Sequence, residues 1–220
     1  ELGMNDTVFK NCNGLDEEGH VTSAHDVALM SRELITHEKI FDYTLTWIDY
    51  VRDGATQLVN TNKLIRSYSG ITGLKTGTTS QAGSCITATA ERDSLALISV
   101  VLGADSTDHR FQDAAALLDY GFAGWAVVVP EAPALEDVKV TGGMEETVPA
   151  QIGEMPKLLM KAAERGKVEQ KVELSEELTA PVRKGDIVGK VTYRVGGEAA
   201  AQVEITAAGD VEEVTFSSVF

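Results

Sequence analysis

The stretch Gly70–Cys85 reads GITGLKTGTTSQAGSC, and in it a single lysine lies within a run of glycines and threonines. A phosphate-binding loop needs a glycine directly before its lysine, with a strand before the loop and a helix after it. Here Leu74 precedes Lys75, and the residues that follow have the pattern of a strand. The stretch therefore argues against a nucleotide-binding loop.

Lys75, Thr76 and Gly77 are better interpreted as a strand segment that lines a cleft. The lysine supplies a positive point charge, the threonine a hydroxyl donor, and the glycine lets a ligand come close to the backbone. Such a set suits a peptide carboxylate lying beside the strand. The tripeptide alone is more typical of an ordinary strand edge, so only its surroundings can favour the cleft.

Helices and a hairpin are predicted around this strand. A helix of three to four turns begins at Thr22 or Ser23 and ends near His37, and residues 84–103 form a β-hairpin that turns at ERDS. The apolar run LALISVVLG after that turn is typical of a central strand. A second long helix is predicted in residues 106–122, with Ser106 or Thr107 as its N-cap. The apolar positions of the two helices are Val27, Met30 and Leu34 in the first and Phe111, Ala114, Leu118 and Phe122 in the second.

The sequence changes character after Trp125. The segment VVVPEAPALED resembles a linker, and short alternating runs follow it. The clearest is GKVTYRVGGEAAAQVEI, in which Gly196-Gly197 supply a two-residue turn between two strands. We predict a small β-sandwich or barrel from about residue 130, with domains at 1–128 and 129–220.

Composition excludes some functions. The formal charge of −15, from 34 acidic and 19 basic residues, repels nucleic acids and anionic lipid surfaces, so we expect no nucleic-acid partner. Cys12 and Cys85 are too few for a disulfide framework, and they either pair with each other or pack separately. The spacing of the four histidines does not indicate a metal site, and we expect no cofactor.

Several ordered segments resemble the serine D-alanyl-D-alanine carboxypeptidases, which are low-molecular-mass penicillin-binding proteins. ITGLKTG leads to a T-x-x-A-G run that ends at Gly83, and the ISVVLG strand follows. FKNCNGLDEEGHVTSAHDVALMSREL, NTNKLI and STDHRFQDAAALLDYGF resemble other segments of the family, and LTAPVRKGDIVGKV resembles its C-terminal β domain. The resemblance covers almost the whole chain and is more specific than the tripeptide.

The resemblance implies a fold and a reaction. The fold is an α/β (α+β) domain of the penicillin-binding and β-lactamase-like type, incomplete at its N-terminal side, followed by a small all-β sandwich domain. The reaction is removal of the terminal D-alanine from peptidoglycan stem peptides through a serine acyl-enzyme, which β-lactams trap. An enzyme of this family acts outside the cytoplasm.

Six residues receive roles by matching the family's motifs. Lys75 and the backbone N–H of Thr78, an oxyanion donor, are the catalytic candidates. Substrate contacts are expected from Thr76, Gly77, Arg110 and Leu15, with Arg110 holding the terminal carboxylate. Outside this context, Arg110 would be interpreted as a solvated surface charge and Leu15 as a core residue.

The sequence departs from the family in lacking a nucleophile. No serine is followed three residues later by lysine, and no S-x-N occurs. We expect an N-terminal segment of the same enzyme to carry both motifs, and this chain alone to be inactive. Two alternatives stay open, which are a non-catalytic cell-wall peptide-binding or scaffold module and a β-lactamase.

Overall fold

The computed structural model describes residues 2–215, and the chain divides into two compact units between Gly124 and Trp125. We call these the first unit and the second unit. Each has its own hydrophobic core. None of the helices within residues 2–215 has the length and apolar character needed to cross a membrane.

Helix α1 of the first unit spans Ala24–Leu34. Ser23 caps it as predicted, because its side chain accepts a hydrogen bond of 3.2 Å from the backbone N–H of Asp26. The helix ends three residues before the predicted His37. Its most buried side chains are Asp26 and Ser31, whereas the predicted apolar positions Met30 and Leu34 are more than a third exposed.

The burial of Asp26 has a structural cause. Its carboxylate accepts hydrogen bonds from the Thr7 hydroxyl (2.7 Å) and from the backbone N–H of Asp6 (2.8 Å). These bonds, that from Thr7 above all, hold the pKa of the Asp26 carboxyl below its ordinary value. Asp26 thereby ties the beginning of the described chain to α1.

The segment between α1 and the K-T-G strand contains short elements. A 3₁₀ turn at Glu38–Ile40 leads into them. They are helix α2 (Phe41–Thr44), strands β1 (Ile48–Val51) and β2 (Thr56–Val59), which pair antiparallel, and helix α3 (Leu64–Ser67).

The sheet of the first unit contains β3 (Ile71–Thr79), β4 (Gly83–Arg92) and β5 (Leu95–Ala104), in the order β3-β4-β5 and antiparallel throughout. The predicted hairpin is confirmed, and Asp93 and Ser94 make its turn with φ of 50° and 62°. The apolar β5 was expected to be central. Within residues 2–215 the central strand is β4, and β5 lies at an edge of the sheet.

Helix α4 (Thr107–Gly124) packs on β4 and β5. The Ser106 hydroxyl accepts from the backbone N–H of His109 (3.1 Å), which confirms a predicted cap. A Cβ on Gly121 would lie 2.5 Å from a methyl carbon of Leu97, so the absence of a side chain there permits the close approach. The predicted stripe is confirmed as part of a core comprising Leu64, Ile86, Ala88, Ala90, Phe111, Ala114 and Leu118, with Phe122 packed against it.

The second unit is built from strands, as predicted. They are β6 (Trp125–Val128), β7 (Val138–Thr141), β8 (Thr147–Val148), β9 (Ala150–Ile152), β10 (Leu158–Lys161), β11 (Val168–Leu174), β12 (Leu178–Thr179), β13 (Ile187–Val195) and β14 (Glu198–Ala207). They form sheets ordered β11-β13-β14-β9, β12-β7-β8 and β10-β6.

The hairpin β13–β14 confirms the prediction made from its alternating residues. Gly196 and Gly197 form the turn with φ of 60° and 89°, which glycine adopts without strain. The inward residues Val191, Tyr193 and Ile205 are fully buried. They belong to a core of thirteen buried residues that draws on β7, β8, β10, β13 and β14. This single core explains why short strands suffice to hold the unit together.

Candidate active site

A cleft of about 950 Å³ lies against β3 in the first unit. Its lining comes mainly from the loop before α1 and from the K-T-G strand with its following turn, and a few residues before α3, on β4, on β5 and on α4 complete it. The structure brings together all the residues that the sequence singled out for the site. These are Leu15, Lys75, Thr76, Gly77, Thr78 and Arg110.

The K-T-G residues occupy the middle of β3. Lys75 and Gly77 are exposed, whereas the intervening Thr76 is only 8% exposed, as alternation along a strand requires. The Lys75 ammonium donates to the backbone carbonyl of Thr76. An exposed cation, a buried hydroxyl and a stretch of backbone without a side chain are thus presented within three residues.

Strand β3 lies at an edge of the sheet, since within residues 2–215 it pairs with β4 and with no other strand. An edge strand leaves alternate N–H and C=O groups unpaired, and an extended peptide can add to them. The cleft against β3 therefore offers backbone as well as side-chain partners to a ligand. The role predicted for the N–H of Thr78 stays a prediction.

Arg110 lies near the beginning of α4 and is only 5% exposed, so the interpretation as a solvated surface charge is wrong. Its Nη1 donates to the Gly77 carbonyl and to the Thr78 hydroxyl, both at 3.0 Å, and to the Cys85 carbonyl at 3.3 Å. The guanidinium consequently joins α4 to the K-T-G strand β3 and to β4. Its Nε has no hydrogen-bond partner in the described part of the chain.

Leu15 is 63% exposed in the loop before α1, so it is not a core residue. Side chains of the loop itself fix its shape. The Asn13 carbonyl oxygen Oδ1 accepts from the backbone N–H of Leu15 (3.1 Å), and Asn11 Nδ2 donates to the Leu15 carbonyl (3.0 Å). An exposed leucine in a constrained loop is available to contact a ligand.

Asp16 is a residue that sequence reasoning missed. Its carboxylate accepts from the Thr79 hydroxyl at 2.6 Å and from the Ser80 hydroxyl at 3.3 Å, which ties the loop before α1 to the turn after β3. The Thr79 hydroxyl in turn accepts from the backbone N–H of Ala82 (2.9 Å). The N-G-L-D run was the available signal, but the partner of its carboxylate is distant in sequence.

Thr61 is the second missed residue. Its hydroxyl lies 2.5 Å from the hydroxyl of Thr76, and its side chain lines the cleft. The NTNKLI segment had been singled out, without a role for this threonine.

Charge around the cleft combines two cations with nearby acids. Lys75 and Arg110 belong to the lining, together with Asp16 and Glu17. Just before Arg110, the exposed His109 is hydrogen-bonded to Asp105, and this bond raises the pKa of its imidazole above the ordinary value. Although the net charge of the protein is strongly negative, Lys75 and Arg110 give the cleft two positive charges that would attract a ligand carboxylate.

Of the two serines that follow the K-T-G strand most closely, one is hydrogen-bonded and the other is buried. Ser80 donates to Asp16, and Ser84 is 7% exposed within β4. Cys12 and Cys85 are free cysteines, so the alternative of a disulfide between them is excluded. Within residues 2–215 no group of three or more metal-ligating side chains occurs.

Two family models match the chain. A model described as D-alanyl-D-alanine carboxypeptidase matches residues 1–106, and one described as the C-terminal domain of penicillin-binding protein 5 matches residues 128–213. Together they match most of both units, and residues 107–127, which include α4, lie between the two matches.

Curated relatives match over nearly the whole chain. The D-alanyl-D-alanine carboxypeptidase DacF of Bacillus subtilis is 34% identical over 98% of this chain and 57% of its own length. DacC of Escherichia coli, of the same description, is 31% identical over 98% of this chain and 55% of its own length. The chain thus spans little more than half the length of these relatives.

Solved structures of penicillin-binding proteins are also similar to this chain. Penicillin binding protein 5 from Haemophilus influenzae has a TM-score of 0.63 at 26% identity, covering 96% of this chain and 63% of that protein. Penicillin-binding protein D2 from Listeria monocytogenes, solved with cefotaxime bound, is 39% identical over 55% of this chain and 50% of its own, with a TM-score of 0.52.

Proposed function

The chain belongs to the D-alanyl-D-alanine carboxypeptidase family, and from that premise we propose that its first unit is the substrate-binding half of a serine-type peptidase. The substrate is the D-alanyl-D-alanine end of a peptidoglycan stem peptide. The reaction removes the terminal D-alanine outside the cytoplasm. β-Lactams, which penicillin-binding proteins bind, would be inhibitors of the same site.

One observation carries this proposal. Six residues named from the sequence, in segments almost a hundred residues apart, line one cleft against an edge strand. A chance K-T-G tripeptide would have no reason to share a cleft with Arg110 and Leu15. The free edge of β3 suits an extended peptide, and the two cations suit its terminal carboxylate.

Each of the six cleft residues has a role in the proposed reaction. Lys75 and the N–H of Thr78 act on the reacting carbonyl, the first through its charge and the second as an oxyanion donor. Thr76, Gly77 and Leu15 contact the peptide. Arg110 holds the terminal carboxylate with donors other than Nη1, which is already bonded to β3 and β4.

The nucleophile comes from another segment of the same enzyme, because these 220 residues contain neither S-x-x-K nor S-x-N. The serine oxygen attacks the carbonyl carbon between the two D-alanines, the C–N bond breaks, and D-alanine leaves as the amine. Water then hydrolyses the serine ester. The apolar edge strand β5, where Leu102 is 41% exposed, supports a surface for that segment. Without it the chain is inactive.

The second unit is proposed as an accessory β domain. The division into a peptidase domain at 1–128 and a β domain at 129–220 is part of the proposal. The match of residues 128–213 to the C-terminal domain of penicillin-binding protein 5 disfavours the β-lactamase alternative.

Intact mass spectrometry before and after incubation with penicillin tests the proposal. A co-purifying polypeptide, or a longer form of this chain, should gain the mass of the drug, while the 220-residue chain alone should not. Lys75→Ala should abolish the adduct in the complete enzyme, and Lys63→Ala, which removes an exposed lysine outside the cleft, should not. Absence of any adduct with the serine-bearing segment present would favour a non-catalytic peptide-binding module.

A further inference from the structure

Thr61 is the middle residue of the N-T-N segment, residues 60–62, which has no role in the proposed function. It is exposed, it lines the K-T-G cleft, and its hydroxyl is 2.5 Å from that of Thr76. We propose that Thr61 is a positioning residue that donates its proton to Thr76 Oγ1 and so leaves the Thr76 proton free for the carboxylate of a bound peptide. This inference rests on the proposed function, which lets Thr76 contact the bound peptide, and it adds that the Thr76 hydroxyl, together with Arg110, contacts the terminal carboxylate.

The inference follows from the number of protons in the pair. A threonine hydroxyl has one proton to donate and can accept through its oxygen lone pairs, so either member can be the donor when the cleft is empty. A carboxylate only accepts. Once it binds Thr76, the single proton of Thr76 points to the carboxylate, and the proton between the two hydroxyls is supplied by Thr61.

Accepting this bond also makes Thr76 a better donor. A hydroxyl that accepts a hydrogen bond is polarised and donates more strongly, and the effect is larger where water is excluded. Thr76 is only 8% exposed, whereas Thr61 is exposed and its oxygen can accept from solvent. Hydrogen bonds are thus donated in one direction, from solvent to Thr61, from Thr61 to Thr76, and from Thr76 to the ligand.

The neighbouring asparagines hold the middle residue of the segment in place. Asn60 Nδ2 donates to the backbone carbonyls of Thr44 (3.3 Å) and Thr46 (3.0 Å), and its Oδ1 accepts from the backbone N–H of Asn62 (2.9 Å). Asn62 is 1% exposed, and its Oδ1 accepts from the N–H of Leu64 at the beginning of α3 (3.1 Å). A hydroxyl on such a fixed backbone is positioned before the ligand arrives.

The test compares two ligands that differ only at the terminal group. An N-acetylated peptide ending in D-alanyl-D-alanine and its C-terminal carboxamide are titrated against the chain, with the amide resonances of β3 observed by NMR. Wild type should bind the acid more tightly than the carboxamide. Thr61→Val should weaken binding of the acid about three- to tenfold, as expected for one lost hydrogen bond, and leave binding of the carboxamide unchanged.

Two further variants separate positioning from packing. Thr61→Ser restores the hydroxyl and should restore the preference for the acid. Thr36→Val, which removes a hydroxyl that donates to the Glu33 carbonyl away from the cleft, should have no effect. Thr61→Ala gives the same test with a smaller side chain if valine prevents folding, as judged by thermal unfolding.

Each outcome bears on one claim. If Thr61→Val keeps the wild-type preference for the acid, or weakens both ligands equally, the role of Thr61 is overturned while the proposed peptide site stands. If wild type does not prefer the acid, the carboxylate site itself is overturned, and the inference with it.

Discussion

The two units contrast in what they bury. The second unit, although smaller, has thirteen residues in its buried apolar core, and the first unit has seven. All nine buried polar or charged residues recorded among residues 2–215 belong to the first unit, and so do the three buried side-chain atoms without a partner, in Asn62, Ser99 and Arg110. An apolar core confers stability, whereas buried polar groups confer geometry at a cost in stability. The contrast indicates that the second unit holds itself together and that the first is shaped around a site.

The largest expected effect is in the second unit. Tyr193 is fully buried in β13, and its hydroxyl lies 3.8 Å from Met155 Sδ. Tyr193→Ala should destabilise this unit by about 3–5 kcal/mol because it leaves a large cavity. Urea unfolding should be followed by tryptophan fluorescence in a Trp47→Phe background. There Trp125, at the beginning of β6, is the remaining tryptophan and reports on the second unit.

The converse single-tryptophan variant, Trp125→Phe, retains Trp47 and reports on the first unit, whose midpoint should not move. Tyr120→Ala, at a tyrosine 78% exposed on α4, is the matched control and should have little effect on either transition. A parallel shift of both midpoints on Tyr193→Ala would contradict the separate folding of the two domains.

The next effect tests the buried charge of the first unit. Arg110→Met removes the donor shared by the Gly77 and Cys85 carbonyls and the Thr78 hydroxyl, and it should cost about 2–3 kcal/mol. Arg194→Met removes an exposed arginine whose Nη1 donates to one carbonyl, that of Gly197, and it should cost far less. Both values come from chemical denaturation. Equal losses of unfolding free energy for the two variants would contradict the claim that buried polar groups distinguish the first unit from the second.

A smaller effect concerns the attachment of α4. The Arg92 guanidinium lies 4.6 Å from the ring centroid of Tyr68 and 4.4 Å from that of Phe122, and its Nε donates to the Ser69 carbonyl at 3.0 Å. Arg92→Leu should lower the stability of the first unit by about 1–2 kcal/mol. Arg92→Lys should recover part of this loss, and a full loss with lysine would mean that packing rather than charge stabilises the contact.

The smallest effect is a difference in acid sensitivity. Hydrogen bonds from Thr7 to Asp26, and from Lys171 to Glu173 in the second unit, lower the pKa values of the two carboxyls. A lowered pKa in the folded state stabilises the protein above the ordinary pKa, and this stability is lost as the pH falls through the folded pKa. Asp26→Asn should reduce the loss of unfolding free energy that the first unit shows as the pH falls. Glu173 is exposed, so Glu173→Gln should leave the pH dependence of the second unit's unfolding free energy almost unchanged. Urea midpoints between pH 7 and about pH 3 measure both.

What the sequence predicts well is local. The β13–β14 hairpin, the β4–β5 hairpin and the stripe of α4 follow from alternation, turn residues and helical period, all of which lie within about twenty residues. The resemblance to a family added the grouping of Leu15, Lys75 and Arg110, which no local pattern contains.

What the sequence did not predict depends on partners distant in the chain. Asp16 and Thr61 are ordinary polar residues until Thr79 and Thr76 are brought beside them. The burial of Asp26 in place of the apolar side of α1 has the same origin, since its partners are Asp6 and Thr7. The edge position of β5 likewise depends on which strands pair, and an apolar run by itself does not decide this.

The open edge of β5 has a consequence for the handling of the chain by itself. Among residues 2–215, β5 pairs with β4 alone, and the backbone groups on its other side are a template for adding strands from other molecules. Leu102 adds exposed apolar surface to this edge. The net charge of −15 keeps molecules apart while their repulsion extends over about 10 Å or more at low ionic strength. Salt shortens that range, so association of the chain through this edge should increase with salt and with protein concentration.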